Sequence, residues 1–525
     1  MLSPDSAPRG PAAAEISPAK ARWLIRALQI LFLLIATAQL NAPLLSAHNE
    51  RQNQTYDLAQ HIFTQGWSAV LTPQTSFSLP GYEAKPFTVI RQEFPFHGLL
   101  GWPLVKIFGH QLAILRLLSV AFALASIQLL YLILRTWLAP GQAVAGAALW
   151  ALSPLVLQFG QVPMPDILCT TGMLAAFWFA QQQKLFASSG CFLFALLAKV
   201  SILGFGLPIL TALLLAKNSA TLKEFSRTAI LWGALPLLGL TAWILLELRD
   251  HDTPWTILKI ASGRSSLNNL LTLKFYFFLL GCLLPYGLGL LGACGCLRAT
   301  WVPAFHHVKS PLKWTLLGAI IFYLIFVVAK IPEPQYLLPL LAWLVVLAAF
   351  GLDTLRPWPR LLPLLLGLQL ATSLICTLDL KSSHVPDFDQ ILRAGQLLPP
   401  PARVIAAYPF YGASPAVWLQ RNVIGLREVS TLAKQLPDLQ KIGFDYVLVL
   451  EVKSHTEIFW QNGLGKTIAE LFHPSGKPAP ANVTTLIAPN SAADFRQFCD
   501  ARFTKIFSSP AVALYLLNAT NQPSP

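Results

Sequence analysis

The sequence predicts an α-helical polytopic membrane protein with a small C-terminal α/β soluble domain. Of its 525 residues, 54% are hydrophobic and only 12% are charged, and the mean hydropathy is +0.55. A soluble domain carries about 25% charged residues, so the composition indicates an integral membrane protein. Long apolar runs recur up to residue 378, and short β-type runs follow them.

About eleven of the apolar runs are long enough to be transmembrane helices. The predicted spans are 24–43, 112–134, 140–158, 167–183, 187–199, 201–216, 228–246, 273–296, 314–330, 336–354 and 361–378. The stretch 187–216 also fits a single broken unit. We therefore expect a disordered cytoplasmic N-terminus (1–23), a transmembrane domain (24–378) that includes an outer loop (44–110), and an extracytoplasmic α/β domain (379–525).

The orientation of the chain follows from lysine and arginine in the short loops, which favour the cytoplasmic side. With the N-terminus inside, nearly every cytoplasmic loop is basic. The lysines and arginines in these predicted cytoplasmic segments are Lys20, Arg22, Arg26, Arg135, Lys184, Lys217, Lys223, Arg227, Arg298, Lys309, Lys313, Arg356 and Arg360. The net charge of +14 thus reflects topology, and we expect a multi-pass inner (plasma) membrane protein with no nucleic-acid partner. The seven cysteines form no paired CxxC motif, so neither a disulfide framework nor a zinc finger is expected.

Two elements of the outer loop have the pattern of helices that lie on the membrane surface. Apolar residues at helical spacing predict the first over 56–64, with Gly66 ending it. The second covers 96–108. In the C-terminal domain, alternating or continuous apolar residues predict strands at 404–408, 446–450 and 512–517.

Carboxylates at the start of the outer loop are candidates for acid–base chemistry. Glu50 and Asp57 follow the first helix, and either could accept the proton of an acceptor hydroxyl. Arg51 lies beside them and could bind a departing phosphate. The alternatives are a solvated Glu50 paired with Arg51, and an Asp57 that serves as a helix N-terminal charge.

Glu93 and His97 in QEFPFHG have a spacing at which they could share a divalent metal ion if the turn is helical. Pro95 lies between them, and capping or hydrogen bonding is the alternative role for Glu93. The sequence indicates no other cofactor. Nothing resembles a Walker motif, which argues against a nucleotide-driven pump.

Isolated charges in or beside apolar runs are the remaining candidate site residues. An acid or lysine near lipid raises the free energy of the folded protein unless it is paired, so it is retained where it is paired or functional. Asp166 follows a proline at the junction of two predicted helices. It could therefore be a catalytic or orienting acid, or the N-cap of the second helix. Lys199 could bind a phosphate or extend to the interface. Lys330 and Tyr336 flank an IPEPQ turn and could add a second cation and a hydroxyl, or anchor the interface.

Several of these stretches together resemble the GT-C glycosyltransferases, in the branch that holds protein O-mannosyltransferases and lipid A aminoarabinose transferases. The resemblance covers roughly residues 24–350. The stretches that carry it are HNERQNQTYDLAQHIFTQG, EFPFHGLLGWPLVKIFG with LRLLSV after it, QVPMPDIL, AKVSILGFGLP and EPQYLLPLLAWL.

The loop differs from the pattern of its relatives in the position of its acid. One bacterial subgroup has Trp-Arg-Gln-Ala-Asp-Thr there. The residues that match this pattern are Arg51, Gln52 and Thr55. Asn53 and Gln54 replace the Ala and the Asp, so the expected acid is displaced to Glu50 or Asp57.

The resemblance also implies roles for three residues further along. Glu93 matches an acid that can help hold a metal in relatives, Asp166 matches the acid of the Pro-Asp turn, and Lys199 matches a lysine associated with the donor phosphate. The family implies a polyprenyl-phosphate sugar donor, inversion at the anomeric carbon and no nucleotide at the active site.

We therefore expect a membrane glycosyltransferase that moves a sugar to a hydroxyl of a glycan, lipid or protein on the extracytoplasmic face. A transporter or flippase of lipid-linked sugars is the main alternative. It predicts broken helices in two related halves and charges at mid-bilayer, whereas the charges here cluster toward one face. A non-catalytic envelope glycan assembly protein is a third possibility.

Overall fold

The structure is a computed structural model. It describes residues 16–38, 40, 49–71, 93–109, 111–217, 221–250, 270–299, 308–329, 333–352, 361–382, 388–407, 418–419, 421–426, 429–450 and 492–517. Its first part is helical. The helices are α1 (Pro18–Thr37), α2 (Asn49–Gln65), α3 (Ser68–Leu71), α4 (Phe96–Phe108), α5 (Gln111–Arg135), α6 (Pro140–Ala151), α7 (Pro154–Phe159), α8 (Pro165–Gln181), α9 (Leu185–Ala198), α10 (Gly206–Lys217), α11 (Leu222–Asp250), α12 (Leu273–Cys282), α13 (Gly289–Ala299), α14 (Ser310–Tyr323), α15 (Leu338–Leu352) and α16 (Leu361–Ser382).

Six helical segments in the described part of the chain are long and apolar enough to cross a membrane. They are Gln111–Arg135, Val200–Lys217, Lys223–Leu246, Phe275–Ala299, Ser310–Val328 and Pro334–Leu352. Leu185–Ala198 and Leu364–Leu378 are shorter apolar helices. The chain is therefore a multi-pass membrane protein, and the count of about eleven crossings stays a prediction.

The helix boundaries differ from the predicted spans where proline or a cap intervenes. The helix α1 begins at Pro18, inside the stretch expected to be disordered, because the Ser17 hydroxyl accepts a bond from the Lys20 amide. The predicted span 140–158 is two helices, since Pro154 starts a new one after Ser153. The stretch 187–216 is broken at Lys199, whose backbone is extended.

The core of the helical part depends on close helix contacts as well as on large side chains. Trp150 and Trp343 are fully buried in it. Helices α13 and α15 meet at Gly295 and Gly351, where a side-chain carbon on Gly351 would overlap the Gly295 carbonyl oxygen. Small residues at such a contact allow two backbones to approach closely, as is common between membrane helices.

Both predicted surface elements are helices. The helix α2 extends over 49–65, and Gly66 with a φ of +71° ends it as expected. The helix α4 has the predicted bounds, and it packs on α2 where Gly98 faces Ala59 and Ile62. The two helices thus form one unit next to α5.

The C-terminal part is a small α/β unit. Its elements are α17 (Phe388–Gln396), β1 (Arg403–Ala407), β2 (Asn422–Leu426), α18 (Val429–Lys441), β3 (Tyr446–Leu450), α19 (Ala492–Asp500), β4 (Thr504–Ser508) and β5 (Val512–Leu516). The sheet order is β2-β1-β3-β5-β4, with β1 parallel to β2 and β3, and β5 antiparallel to β3 and β4. All three predicted strands exist within one residue of their expected bounds. The strands β2 and β4 were not predicted, since a glycine interrupts β2 and β4 is a mostly exposed edge.

Candidate functional site

Asp166 lies in the first turn of α8, directly after Pro165. Before it, the turn 161–164 is closed by a bond from the Met164 amide to the Val162 carbonyl, 2.8 Å long. The side chain is 1% exposed. A carboxylate held in this environment requires a partner, because an unpaired charge out of water is unstable.

The partner of Asp166 is Lys199, whose Nζ donates to the Asp166 Oδ1. Helix α9 ends at Ala198, and the extended backbone of Lys199 turns its side chain into the helical core, where it is 7% exposed. Its Nζ also lies 3.8 Å from the centroid of the Tyr336 ring, a cation–π contact. The site thus gathers residues from three elements that are distant in sequence.

The second carboxylate oxygen of Asp166, Oδ2, is buried and has no hydrogen-bond partner among the described residues. Buried polar atoms are normally hydrogen-bonded, and exceptions often mark catalytic or ligand-binding groups. The Oδ2 atom is therefore available to accept a bond from a hydroxyl that enters the site.

A second ion pair joins Arg51 of α2 to Glu93, just before α4. Arg51 Nη1 also donates to Gln54 Oε1, 3.0 Å away. The Phe94 amide donates to the Leu197 carbonyl at 3.0 Å, which fastens this stretch to the end of α9. Glu93 is thereby fixed near the Lys199 turn.

The two ion pairs belong to one electrostatic cluster. Arg51 lies close enough to interact with both Lys199 and Tyr336. Glu333 interacts with Tyr336 from the same turn. Cations near one another in a buried site favour binding of an anion such as a phosphate.

His97 does not pair with Glu93. It is 3% exposed, and its Nε2 lies 3.0 Å from Ser119 Oγ in α5. Burial, with Arg51 nearby, lowers the pKa of His97 to about 3, so the ring is neutral. Its hydrogen bond connects α4 to α5.

The predicted metal pair of Glu93 and His97 does not fit these contacts. Glu93 is engaged by Arg51, and one ring nitrogen of His97 by Ser119. Within the ranges that the structure describes, no three His, Cys, Asp or Glu side chains come together as a metal site would require.

Three other predicted site residues are less defined. The backbone of Glu50 belongs to α2, but its side chain and all of Lys330 lie outside the described residues. Asp57 is half-buried in α2 and has interactions of its own. Which acid acts as base stays a prediction.

Sequence reasoning did not single out several polar residues near the site. Gln335 is 1% exposed and its Nε2 donates to Glu333 Oε2 at 2.5 Å. Arg116 of α5 is 6% exposed and donates to the Leu40 carbonyl at 2.8 Å, tying α5 to the end of α1. The available signal was an arginine inside an apolar run, which needs a partner as Asp166 does.

Residues 92–245 match the family model described as dolichyl-phosphate-mannose-protein mannosyltransferase. No curated protein matches the chain in sequence.

Solved structures resemble the whole chain. ArnT from Cupriavidus metallidurans, solved bound to undecaprenyl phosphate, has a TM-score of 0.64 and 12% identity, covering 96% of this chain and 100% of ArnT. The archaeal oligosaccharyltransferase AglB from Archaeoglobus fulgidus, in complex with an inhibitory peptide and a dolichol-phosphate, has a TM-score of 0.54 and 13% identity, covering 97% and 75%. Arabinofuranosyltransferase AftD from Mycobacteria has a TM-score of 0.51 and 15% identity, covering 96% and 42%.

These matches show the fold of the protein. The chain has the GT-C fold of polyprenyl-phosphate-sugar glycosyltransferases, and the resemblance inferred from its loops and turns is confirmed. The match spans both the helical part and the C-terminal sheet region.

Proposed function

We propose that this protein is a membrane glycosyltransferase that moves a sugar from a polyprenyl-phosphate donor to a hydroxyl acceptor. The observation that carries the proposal is the cluster of two ion pairs, the buried Asp166–Lys199 and the partly buried Arg51–Glu93, joined by the Phe94–Leu197 hydrogen bond. Relatives with this fold were solved with undecaprenyl phosphate or a dolichol-phosphate, which supports a lipid-linked donor. The loops that carry the cluster are assigned to the extracytoplasmic face on the basis of loop charge.

The chemistry is a single displacement at the anomeric carbon. The acceptor oxygen forms a bond to that carbon while the bond to the phosphate oxygen breaks, and the electron pair leaves with the prenyl phosphate. This route inverts the configuration. The acceptor proton passes to a carboxylate, for which Glu50 and Asp57 are the candidates. Asp166 orients the acceptor hydroxyl through its unpartnered Oδ2.

The departing phosphate is stabilised by cations that are oriented before the donor binds. Lys199 is held between Asp166 and the Tyr336 ring, and Arg51 is held by Glu93. Long side chains that are already fixed need little reorganisation when charge develops, which is how electrostatic catalysis lowers a barrier. Lys330 is a further candidate for the same phosphate.

The test supplies purified protein in lipid with a panel of polyprenyl-phosphate-linked sugars and source-cell membranes as acceptor, and measures release of prenyl phosphate. We expect release by the wild type and a loss of about 100-fold or more for Asp166→Asn. Asp438→Asn is the matched control, since Asp438 is exposed in α18 and pairs with nearby, exposed Lys441 at 3.6 Å. Equal turnover of the Asp166 variant and the control would refute the role of Asp166.

The same preparation separates transfer from transport. If intact lipid-linked sugar crosses the bilayer of sealed vesicles and no prenyl phosphate is released, the protein is a flippase. If neither occurs with any donor, the proposed transferase activity is wrong.

A further inference from the structure

A buried hydrogen-bond relay crosses from α4 to the turn that carries Asp166. His97 Nε2 lies 3.0 Å from Ser119 Oγ, and Ser119 Oγ lies 2.7 Å from the Val162 carbonyl oxygen. His97 is 3% exposed and Ser119 is 0% exposed. Three segments that are separate in sequence are thus connected by two polar contacts.

The direction of the two bonds follows from the single hydroxyl hydrogen of Ser119. Its bond to Val162 is 2.7 Å, whereas its other backbone contact, to Leu115, is 3.4 Å. The hydrogen therefore points to Val162, and the Ser119 oxygen accepts from His97. This requires the tautomer of His97 that carries its hydrogen on Nε2.

The Val162 carbonyl oxygen accepts two hydrogen bonds in the turn. It accepts the Met164 amide at 2.8 Å in addition to the Ser119 hydroxyl, so both lone pairs of the oxygen are used. Pro165 and Asp166 follow directly and start α8. A change at Ser119 would therefore move the start of α8 and the Asp166 carboxylate with it.

We propose that His97 and Ser119 are positioning residues that set the place of Asp166 relative to the Arg51–Glu93 pair. Because Glu93 and His97 are held by the same short segment at the start of α4, the relay fixes one ion pair against the other. The acceptor hydroxyl on Asp166 and the donor phosphate on Arg51 are thereby kept at a constant separation. This inference rests on the proposed function, since it needs Asp166 to contact the acceptor.

The test compares Ser119→Ala with Ser126→Ala. Ser126 is the matched control because it lies in the same helix, is 0% exposed and accepts Trp150 Nε1 at 2.8 Å, but has no bond to the turn. We expect Ser119→Ala to lower kcat by about 10- to 100-fold, as small displacements of catalytic groups do, with an unchanged KM for the donor. Ser126→Ala should keep its kcat.

Two further variants separate positioning from general stability. His97→Gln retains an N–H donor of similar reach and should recover most of the activity that His97→Leu loses. In an Asp166→Asn background, Ser119→Ala should cause no additional loss, because a positioning residue acts only through the group it positions. Additive losses would overturn the proposal.

Hydrogen exchange of the segment 160–166 gives a readout that does not depend on activity. Protection there should fall in Ser119→Ala and stay at the wild-type level in Ser126→Ala. Unchanged protection in Ser119→Ala refutes the relay even if the wild type is an active transferase. Reduced protection with unchanged kcat shows a relay without a positioning role, which also overturns the proposal. Absence of turnover in the wild type instead refutes the proposed function.

Discussion

Asp166 and Lys199 are 33 positions apart in the chain and form a buried ion pair between the first turn of α8 and the residue that follows α9. Each charge would be unfavourable in this environment without the other. The pair leaves Asp166 Oδ2 without a described partner while fixing the Lys199 ammonium against the Tyr336 ring. In the proposed reaction, this one contact would prepare both an acceptor for a hydroxyl and a cation for a phosphate.

Substitutions in the Asp166–Lys199 pair should affect stability and activity differently. Lys199→Met leaves the Asp166 charge buried and unpaired, and we expect it to lower the free energy of unfolding by about 3 kcal/mol or more. The double variant Lys199→Met with Asp166→Leu removes both charges and should recover most of that stability but no activity. Thermal unfolding in detergent and prenyl phosphate release measure the two effects. A double variant as unstable as the single one would show that the pair is not the cause.

Tyr336 should act through its ring. Since Lys199 Nζ lies 3.8 Å from the ring centroid, Tyr336→Phe keeps the cation–π contact and should retain most of the activity. Tyr336→Leu removes it and should raise the KM for the donor by about tenfold, in line with a contact worth about 1–2 kcal/mol. If Tyr336→Phe is as impaired as Tyr336→Leu, the hydroxyl binds the phosphate instead.

Glu93 should act by holding Arg51. We expect Glu93→Gln to lower activity by about tenfold, the effect of a displaced catalytic cation, and Arg51→Gln to lower it at least as much. The combined variant should be no worse than Arg51→Gln alone. Kinetics are measured with and without added Mg²⁺ or Mn²⁺. Recovery of Glu93→Gln by excess metal would indicate that Glu93 is a metal ligand after all.

The neutral state of His97 predicts a dependence of stability on pH. Its pKa is lowered to about 3 in the folded protein, against about 6.5 in an unfolded chain. Below about pH 6.5 the unfolded chain takes up a proton that the folded protein does not, so stability declines as the pH falls from 6.5 toward 3. Unfolding midpoints between pH 7.5 and 5 should decline more steeply in the wild type than in His97→Gln. Parallel declines would contradict the assignment.

Helix packing can be tested at two glycines. Gly351→Ala would place a methyl group against the Gly295 carbonyl, and we expect a loss of about 1–3 kcal/mol in unfolding free energy, the usual effect of overpacking. Gly318→Ala in α14 is the control, because a methyl group there meets nothing within 4 Å. A neutral Gly351→Ala would mean that α13 and α15 can move apart freely.

Part of this molecule could be predicted from local sequence. Hydrophobic runs located most helices, because burial in lipid requires apolar residues over a fixed length. The surface helix α4 and the strand β3 were predicted with the bounds the structure has, since periodicity and flanking turn residues are local signals. The strand β4 was missed because its edge position leaves its side chains largely exposed, which removes the alternating pattern.

The sequence by itself also identified the candidate charged residues of the site. Asp166 and Lys199 were singled out because isolated charges beside apolar runs must be paired or functional, Arg51 because it lies beside the acids of the outer loop, and Glu93 because of its spacing to His97. Only the tertiary structure decided how they pair. The sequence offered His97 as a partner of Glu93 at a shared metal ion, whereas in the structure Glu93 pairs with Arg51 and His97 lies beside Ser119. Pairing depends on how α2, α4, α5 and α9 pack against one another. Packing brings together residues that are distant in the chain, and their spacing in the sequence does not indicate that they are in contact.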